Sequence, residues 1–202
     1  MRKFTLLLIT MLLLACSHGP KKIGIQPYGM ISQHILDSIS VIIKRSYHAE
    51  VVILNSRELP FYAFVNIKTP RYRADSLLLD LRENRQDSID IVIGITTKDI
   101  STTKRDARGK VKSPKSKYLD WGIFGLGNNP GNSCVISTFR LHTANANLFM
   151  SRIQKIAVHE IGHTMGLDHC ETDNCVMQDA VETINTIDNE GYQLCERCSE
   201  KI

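Results

Sequence analysis

His159 and His163 stand four residues apart with Glu160 directly after the first, and His169 follows six residues after the second. On a helix, positions i and i+4 lie one turn apart on the same face. Two imidazoles so placed can reach one Zn²⁺ at about 2.0–2.1 Å. Were the helix to continue, His169 would lie roughly 15 Å along the axis from His159, too far to share the ion. The chain must therefore leave the helix first. Gly166 is the residue suited to a left-handed, helix-ending turn. Three ligands from a helix and a turn leave a fourth coordination position open, as in catalytic rather than structural zinc. Glu160 is close enough to face a water there without binding the metal. Zinc lowers the pKa of such a water to about 7, and a neighbouring carboxylate can take its proton. That chemistry suits hydrolysis of a polarised peptide carbonyl, with Glu160 passing the proton on to the departing amine.

Six cysteines are many for 202 residues. Cys170, Cys175, Cys195 and Cys198 follow the histidines, and four thiolates can close a tetrahedral zinc site. Residues 170–202 are too few for a core of their own, so a staple is expected. Exported cysteines usually oxidise, and Cys195 and Cys198 also suit a disulfide or a redox pair, but the spacing of the cysteine pairs favours zinc. Cys134 reads as a buried strand thiol. His18, His34, His48 and His142 show no ligand spacing and read as surface or core residues.

The elements that must hold these groups follow from periodicity. Ser151 to Met165 reads as the helix carrying the first two histidines, with Ile153, Ile156, Ala157, Ile161 and Met165 on its apolar side. Upstream, Ile23–Ile25 reads as a short strand stopped by Pro27 and Gly29. Ile31, Ile35, Ile39 and Ile42 recur at helical spacing, and Val51–Leu54 reads as a buried strand. Together these predict a βαβ unit with parallel pairing. Residues 75–85 predict a second helix. Ile89, Ile91, Ile93 and Ile95 alternate with Val92 on the other face, predicting a third strand. Strands alternating with helices place the fold in the α/β or α+β range. Residues 96–117 lose this pattern and hold eight basic residues against Asp99 and Asp106. They read as a solvated, mobile loop, or as a basic flap drawing in acidic substrates or an anionic lipid surface. Trp121 to Gly127 holds three glycines in an apolar segment, which suits an edge strand where another backbone comes close. Asn128 to Asn132 predict a turn, and Cys134–Leu141 the returning strand.

Composition limits the remaining classes. Hydrophobic residues make up 43% and charged residues 23%, values of an ordinary globular chain. A net charge of +4 is too mild to argue for nucleic acid. No apolar run reaches the roughly 18 residues of a spanning helix. The N-terminus is instead an address: Arg2 and Lys3, an apolar run from Phe4 to Leu14, then Ala15 and Cys16. Leu13-Leu14-Ala15-Cys16 resembles a bacterial lipobox, in which Cys16 is diacylated and becomes the new N-terminus. Several acyl chains on one cysteine anchor a domain stably. The expected division is a signal over 1–15, a tether over 16–22, and a domain over 23–202 with an upper part to 166 and a lower part from 167. The expected location is the bacterial cell envelope, on the outer membrane or the periplasmic face.

The 159–169 segment resembles the metzincin pattern, in which a Met-turn follows the third histidine. Cys170 directly after His169, then Cys175, Met177, Cys195 and Cys198, is similar to the archaemetzincin family. The resemblance spans His159 to Cys198, with a weaker likeness at Trp121-Gly-Ile-Phe-Gly. It implies an α+β fold: a small mixed, twisted sheet with a backing helix and an active-site helix, above a short zinc-stapled C-terminal subdomain. It implies two zinc ions, a catalytic one on His159, His163 and His169 with Glu160 as base, and a structural one on the four cysteines. Met177 would lie beneath the catalytic metal. Phe124 and Gly125 are the candidates for an edge strand pairing with the substrate backbone. The expectation is a monomeric zinc metallopeptidase acting on peptides or proteins. The alternative is a catalytically silent zinc-containing peptide-binding lipoprotein. Tyr192 is a conceivable oxyanion partner.

Overall fold

The computed structural model describes residues 19–179 and 183–202. The expected signal and Cys16 lie outside the described residues. A five-stranded sheet organises the molecule. Its strands are β1 (Lys22–Tyr28), β2 (Glu50–Ile53), β5 (Ile91–Thr96), β8 (Gly125–Gly127) and β9 (Ser133–Ser137), in the order β2-β1-β5-β9-β8. All pairings are parallel except that of β8 with β9. A second sheet orders β3 (Phe64–Asn66), β4 (Pro70–Arg73), β6 (Ile100–Thr102) and β7 (Trp121–Ile123) as β3-β4-β6-β7.

Helix α1 (Gln33–Tyr47) links β1 to β2 and completes the expected parallel βαβ unit. It packs with α4 (Ala146–Thr164) on one face of the main sheet, while α2 (Ala74–Glu83) covers the other. The alternation in β5 decides this division. Ile91, Ile93 and Ile95 join the core beneath α1 and α4, whereas Val92 joins Leu77, Leu78 and Leu81 of α2. Covered on both sides, β5 is buried along its whole length. Each such fully buried apolar side chain stabilises the fold by about 1.5–3 kcal/mol relative to exposure.

Three expectations need correction. Pro27 does not stop β1, which continues to Tyr28 beside β5. The Pro27 carbonyl accepts from the Arg57 N–H at 3.0 Å. A strand residue's nitrogen and carbonyl face the same side, so the ring nitrogen faces the edge that β2 has already left at Ile53, and no ladder bond is lost. The run at Val51–Leu54 is not a buried strand. It forms β2 at the sheet edge, with Glu50 and Ile53 exposed. Residues 96–117 are not one unstructured loop. Ile100 and Ser101 are buried in β6, Arg105 bridges to Val111, and Lys115–Tyr118 forms a helical turn, α3. Tertiary pairing with β4 and β7 supplies the order that local patterning lacks.

The lower part carries α5 (Ile184–Asn189) and α6 (Glu196–Ser199). It is fastened to α4 by buried Arg152, whose Nε and Nη2 meet the two oxygens of Asp188 at 2.6 Å each. Lys155 adds a bond from Nζ to the Ile187 carbonyl at 2.7 Å. Helix α4 is thus fixed from the sheet side and from below. Among the described residues, no helix is long and apolar enough to cross a membrane.

Candidate active site

Helix α4 begins earlier than its periodicity predicts, at Ala146, because Asn145 caps it: its Oδ1 accepts from the Leu148 N–H at 3.1 Å. The helix ends where expected. Gly166 has φ +90°, its N–H donates to the His163 carbonyl, and the Leu167 N–H returns to the Gly162 carbonyl. The left-handed residue closes the last turn and redirects the chain.

That redirection brings the three histidines together. Ring centroids lie 4.7 Å apart for His159 and His163, 5.4 Å for His159 and His169, and 5.0 Å for His163 and His169. The outer nitrogens show what the rings present inward. His159 Nδ1 lies 2.8 Å from the Val176 carbonyl, and His163 Nδ1 lies 2.7 Å from the Leu167 carbonyl. A carbonyl only accepts, so each Nδ1 carries the proton and each Nε2 is bare when the ring is neutral. Burial, the largest cause, pushes His159 down to about 3 and lowers His163 as well, so both rings are neutral at ordinary pH. The two Nε2 atoms are 3.0 Å apart. Two bare lone pairs at that distance repel unless a cation lies between them. The donor set, its tautomers and its spacing therefore fit a divalent metal.

His169 completes the set from the exposed side, with its Nδ1 3.5 Å from Asp179 Oδ2. Asp179 was not singled out in the sequence. It lies ten residues beyond His169, and no local spacing links a carboxylate to a ring across a turn. Such outer partners fix ring orientation and ligand basicity. Asp179→Ala is expected to weaken zinc affinity about 10–100-fold with the fold intact. Competition with a chromogenic chelator measures this.

Glu160 faces the opposite wall of the cleft. It is buried, and burial pushes its carboxyl up to about 8, opposed by a hydrogen bond from the Gly127 N–H. Strand β8 lies against it so closely that a Cβ on Gly125 would fall 2.5 Å from Glu160 Oε1. A Cβ on Gly127 would fall 2.6 Å from the Glu160 carbonyl oxygen. The glycines noted in the sequence thus permit the close approach, and β8 is the terminal strand of its sheet. Phe124 lies between β7 and β8, lines the same cleft and packs on the main core. Met177 is fully buried, and a side chain on Gly162 would overlap its thioether, so it packs directly beneath the helix turn bearing the histidines. The cleft has a volume of about 710 Å³ and holds all three histidines, Glu160, Phe124 and the β8 glycines.

The four cysteines also converge. Cys170 and Cys195 Sγ are 3.8 Å apart, as are Cys175 and Cys198, and all four sulfurs lie within 4.8 Å of one another. All are free thiols. A tetrahedron with Zn–S arms of about 2.3 Å has edges of about 3.8 Å. The Thr172 N–H points at Cys170 Sγ and the Cys195 N–H at Cys175 Sγ. The residues fit a thiolate-bound metal. Cys134 is buried in the main core, apart from this group. Tyr192 is not in the histidine cleft. Its hydroxyl donates to Ser151 Oγ at 2.7 Å, and it lines a separate depression with Val41 and Gln154.

Residues 21–202 match the sequence profile of Peptidase family M54. The chain belongs to that family. It is 28% identical over 190 residues to the archaemetzincin of Halobacterium salinarum, an alignment covering 90% of this chain and 99% of the relative. Its fold is similar to the crystal structure of archaemetzincin from Methanopyrus kandleri, with TM-score 0.73 and 29% identity, covering 93% of this chain and 96% of the other. It is also similar to that of archaemetzincin from Archaeoglobus fulgidus complexed with malonate, with TM-score 0.70 and 28% identity, covering 90% and 99%. As a member of M54 the chain is a zinc metallopeptidase, a hydrolase of peptide or protein substrates. The mixed α/β architecture with two sheets agrees with these M54 relatives.

Proposed function

We propose that Glu160 is the general base and acid of peptide hydrolysis at a zinc held by His159, His163 and His169, and that a second, structural zinc is held by Cys170, Cys175, Cys195 and Cys198. The observation that carries this reading is the pair of bare Nε2 atoms 3.0 Å apart, with Glu160 in the same cleft. When bound at the histidines, zinc supplies Lewis acidity toward the scissile carbonyl and an acidified water. The chain's own residues do the rest. The exposed edge of β8 offers backbone groups on which an extended substrate can pair as a further strand. The Glu160 carboxylate, held by the Gly127 N–H, accepts the proton of the attacking water and delivers it to the departing amine nitrogen. The Val176 and Leu167 carbonyls and Asp179 keep the three rings oriented. Cleavage of a broad peptide library, lost on treatment with a chelator and restored by added zinc, is the expected result. Binding of peptides without turnover in the zinc-loaded chain would contradict it.

Residues 1–20 precede the M54 match, and they hold the charged start, the apolar run and the lipobox-like Cys16. We infer a monomeric domain lipid-anchored through Cys16 to the bacterial envelope, with its cleft facing exported peptides or proteins. Cys16→Ser expressed in a Gram-negative host is expected to move the protein from the membrane to the soluble fraction. Retention in the membrane would count against the anchor.

A further inference from the structure

The cleft does not end at the histidines. Past Phe124 its wall is Trp121, on whose ring Tyr118 stacks with centroids 5.3 Å apart. Lysine ammonium groups gather on this aromatic face. Lys117 Nζ lies 5.1 Å from both ring centroids, and Lys104 Nζ lies 4.7 Å from that of Trp121. Lys68 Nζ joins them by donating to the Lys117 carbonyl at 2.7 Å. Arg71 and Arg140 line the same end. Their charge is offset by two buried carboxylates. Asp99 takes Arg71 Nε at 2.8 Å and Arg140 Nε at 2.7 Å, and Asp120 takes Arg71 Nη1 at 3.0 Å. Besides Lys104, this end sets Lys68, Lys117, Arg71 and Arg140 against those two carboxylates among the described residues. The Lys104 and Lys117 ammonium groups over the one indole repel each other, and Lys68 adds a third positive charge to the same cleft wall. A basic run merely seeking solvent has no reason to line the substrate cleft; an anion entering the cleft would relieve the repulsion.

We propose that this end of the cleft selects peptides that place a carboxylate against Lys68 and Lys117, beside Trp121; this rests on the peptidase reading above. Trp121 is four residues from Gly125, the strand position facing Glu160. At about 3.3 Å per residue this spans at most about 13 Å, so a peptide lying along the rim reaches the lysines within roughly four residues of the bond cleaved. The carboxylate is either an acidic side chain there or the peptide's own C-terminus. The shared chemistry is an oxyanion meeting ammonium donors beside a π face.

The experiment uses the full zinc-loaded chain and three otherwise identical peptides. One carries Glu in that region with an amidated end, one Gln with a free C-terminus, and one Gln with an amidated end. At least one carboxylate peptide is expected to show kcat/KM on the order of tenfold above the neutral peptide. The ratio is expected to fall toward one in Lys68→Ala/Lys117→Ala, and in wild type at about 0.5 M salt, where exposed pairs are screened. Fluorescence anisotropy with Glu160→Gln is expected to show the same order in Kd without turnover. Which carboxylate peptide is preferred distinguishes a side-chain from a terminal subsite. Equal cleavage of all three peptides overturns the inference while leaving the peptidase reading intact. So does a preference that survives both the double variant and salt. Lysine-dependent binding to phosphatidylglycerol vesicles without any peptide preference overturns it too, and assigns the patch to the membrane. If no peptide is cleaved, the peptidase reading fails, and the anisotropy ratio still decides the inference.

Discussion

Glu160→Gln is expected to lower kcat by about 10²–10⁴-fold, the usual contribution of a positioned general acid–base, with zinc content unchanged. Glutamine keeps the length of the side chain and an oxygen that can accept from the Gly127 N–H. The helix, the histidine rings and the packing against β8 therefore have no reason to move. What is lost is the ability to take a proton from water and deliver it to an amine. Steady-state kinetics on one cleavable peptide, with metal analysis of the same preparation, checks both halves. Activity within a few-fold of wild type would remove Glu160 from the chemistry. Activity lost together with the zinc would make it a structural support for the metal site.

The second large effect comes from the smallest substitution. Gly125→Ala adds one methyl group 2.5 Å from Glu160 Oε1, 2.7 Å from its Cγ and 2.8 Å from its Cδ. Gly125 is not left-handed, unlike Gly166, so the cost is contact alone. Either β8 lifts away from α4 or the Glu160 side chain rotates out of the cleft. A displacement of about 1 Å at a reacting group can cost on the order of 10²-fold in rate. The overpacking itself costs about 1–3 kcal/mol of stability. The expected result is a folded protein with a modestly lowered Tm and kcat/KM reduced about 10²-fold. Calorimetry and peptide cleavage measure the two effects separately. Full activity in this variant would show that β8 and Glu160 need not touch.

These predictions concern residues that the sequence already singled out, and the reason is locality. His159, Glu160 and His163 share one helical face, so their spacing alone states their relation. Gly166 is one residue whose special conformation turns the chain, and His169 had to follow that turn. The β8–β9 hairpin was legible from Asn128–Asn132 for the same reason. Relations across the fold were not legible. The carbonyls of Val176 and Leu167 fix two ligand tautomers, yet a backbone carbonyl leaves no mark in residue type. Asp179 reaches His169 only because the turn folds back. The second sheet is built from strands of three or four residues, too short for alternation to register. Its order depends on buried ion pairs, with Asp99 joining Arg71 on β4 to Arg140 after β9. Read locally, the same region was only a run of basic residues. Val51–Leu54 misled in the opposite way, since an apolar run does not say whether a strand is central or at the edge.

The proposed zinc ions number two, one among three imidazoles and one among four thiols. Elemental analysis of the domain over residues 17–202, purified without chelators, tests this most directly. Two zinc ions per chain are expected, falling to one in His163→Ala and to one or none in Cys175→Ser, where loss of the staple also loosens the C-terminal segment. Zinc content near zero in the folded wild-type domain, or a content that His163→Ala leaves unchanged, would contradict it.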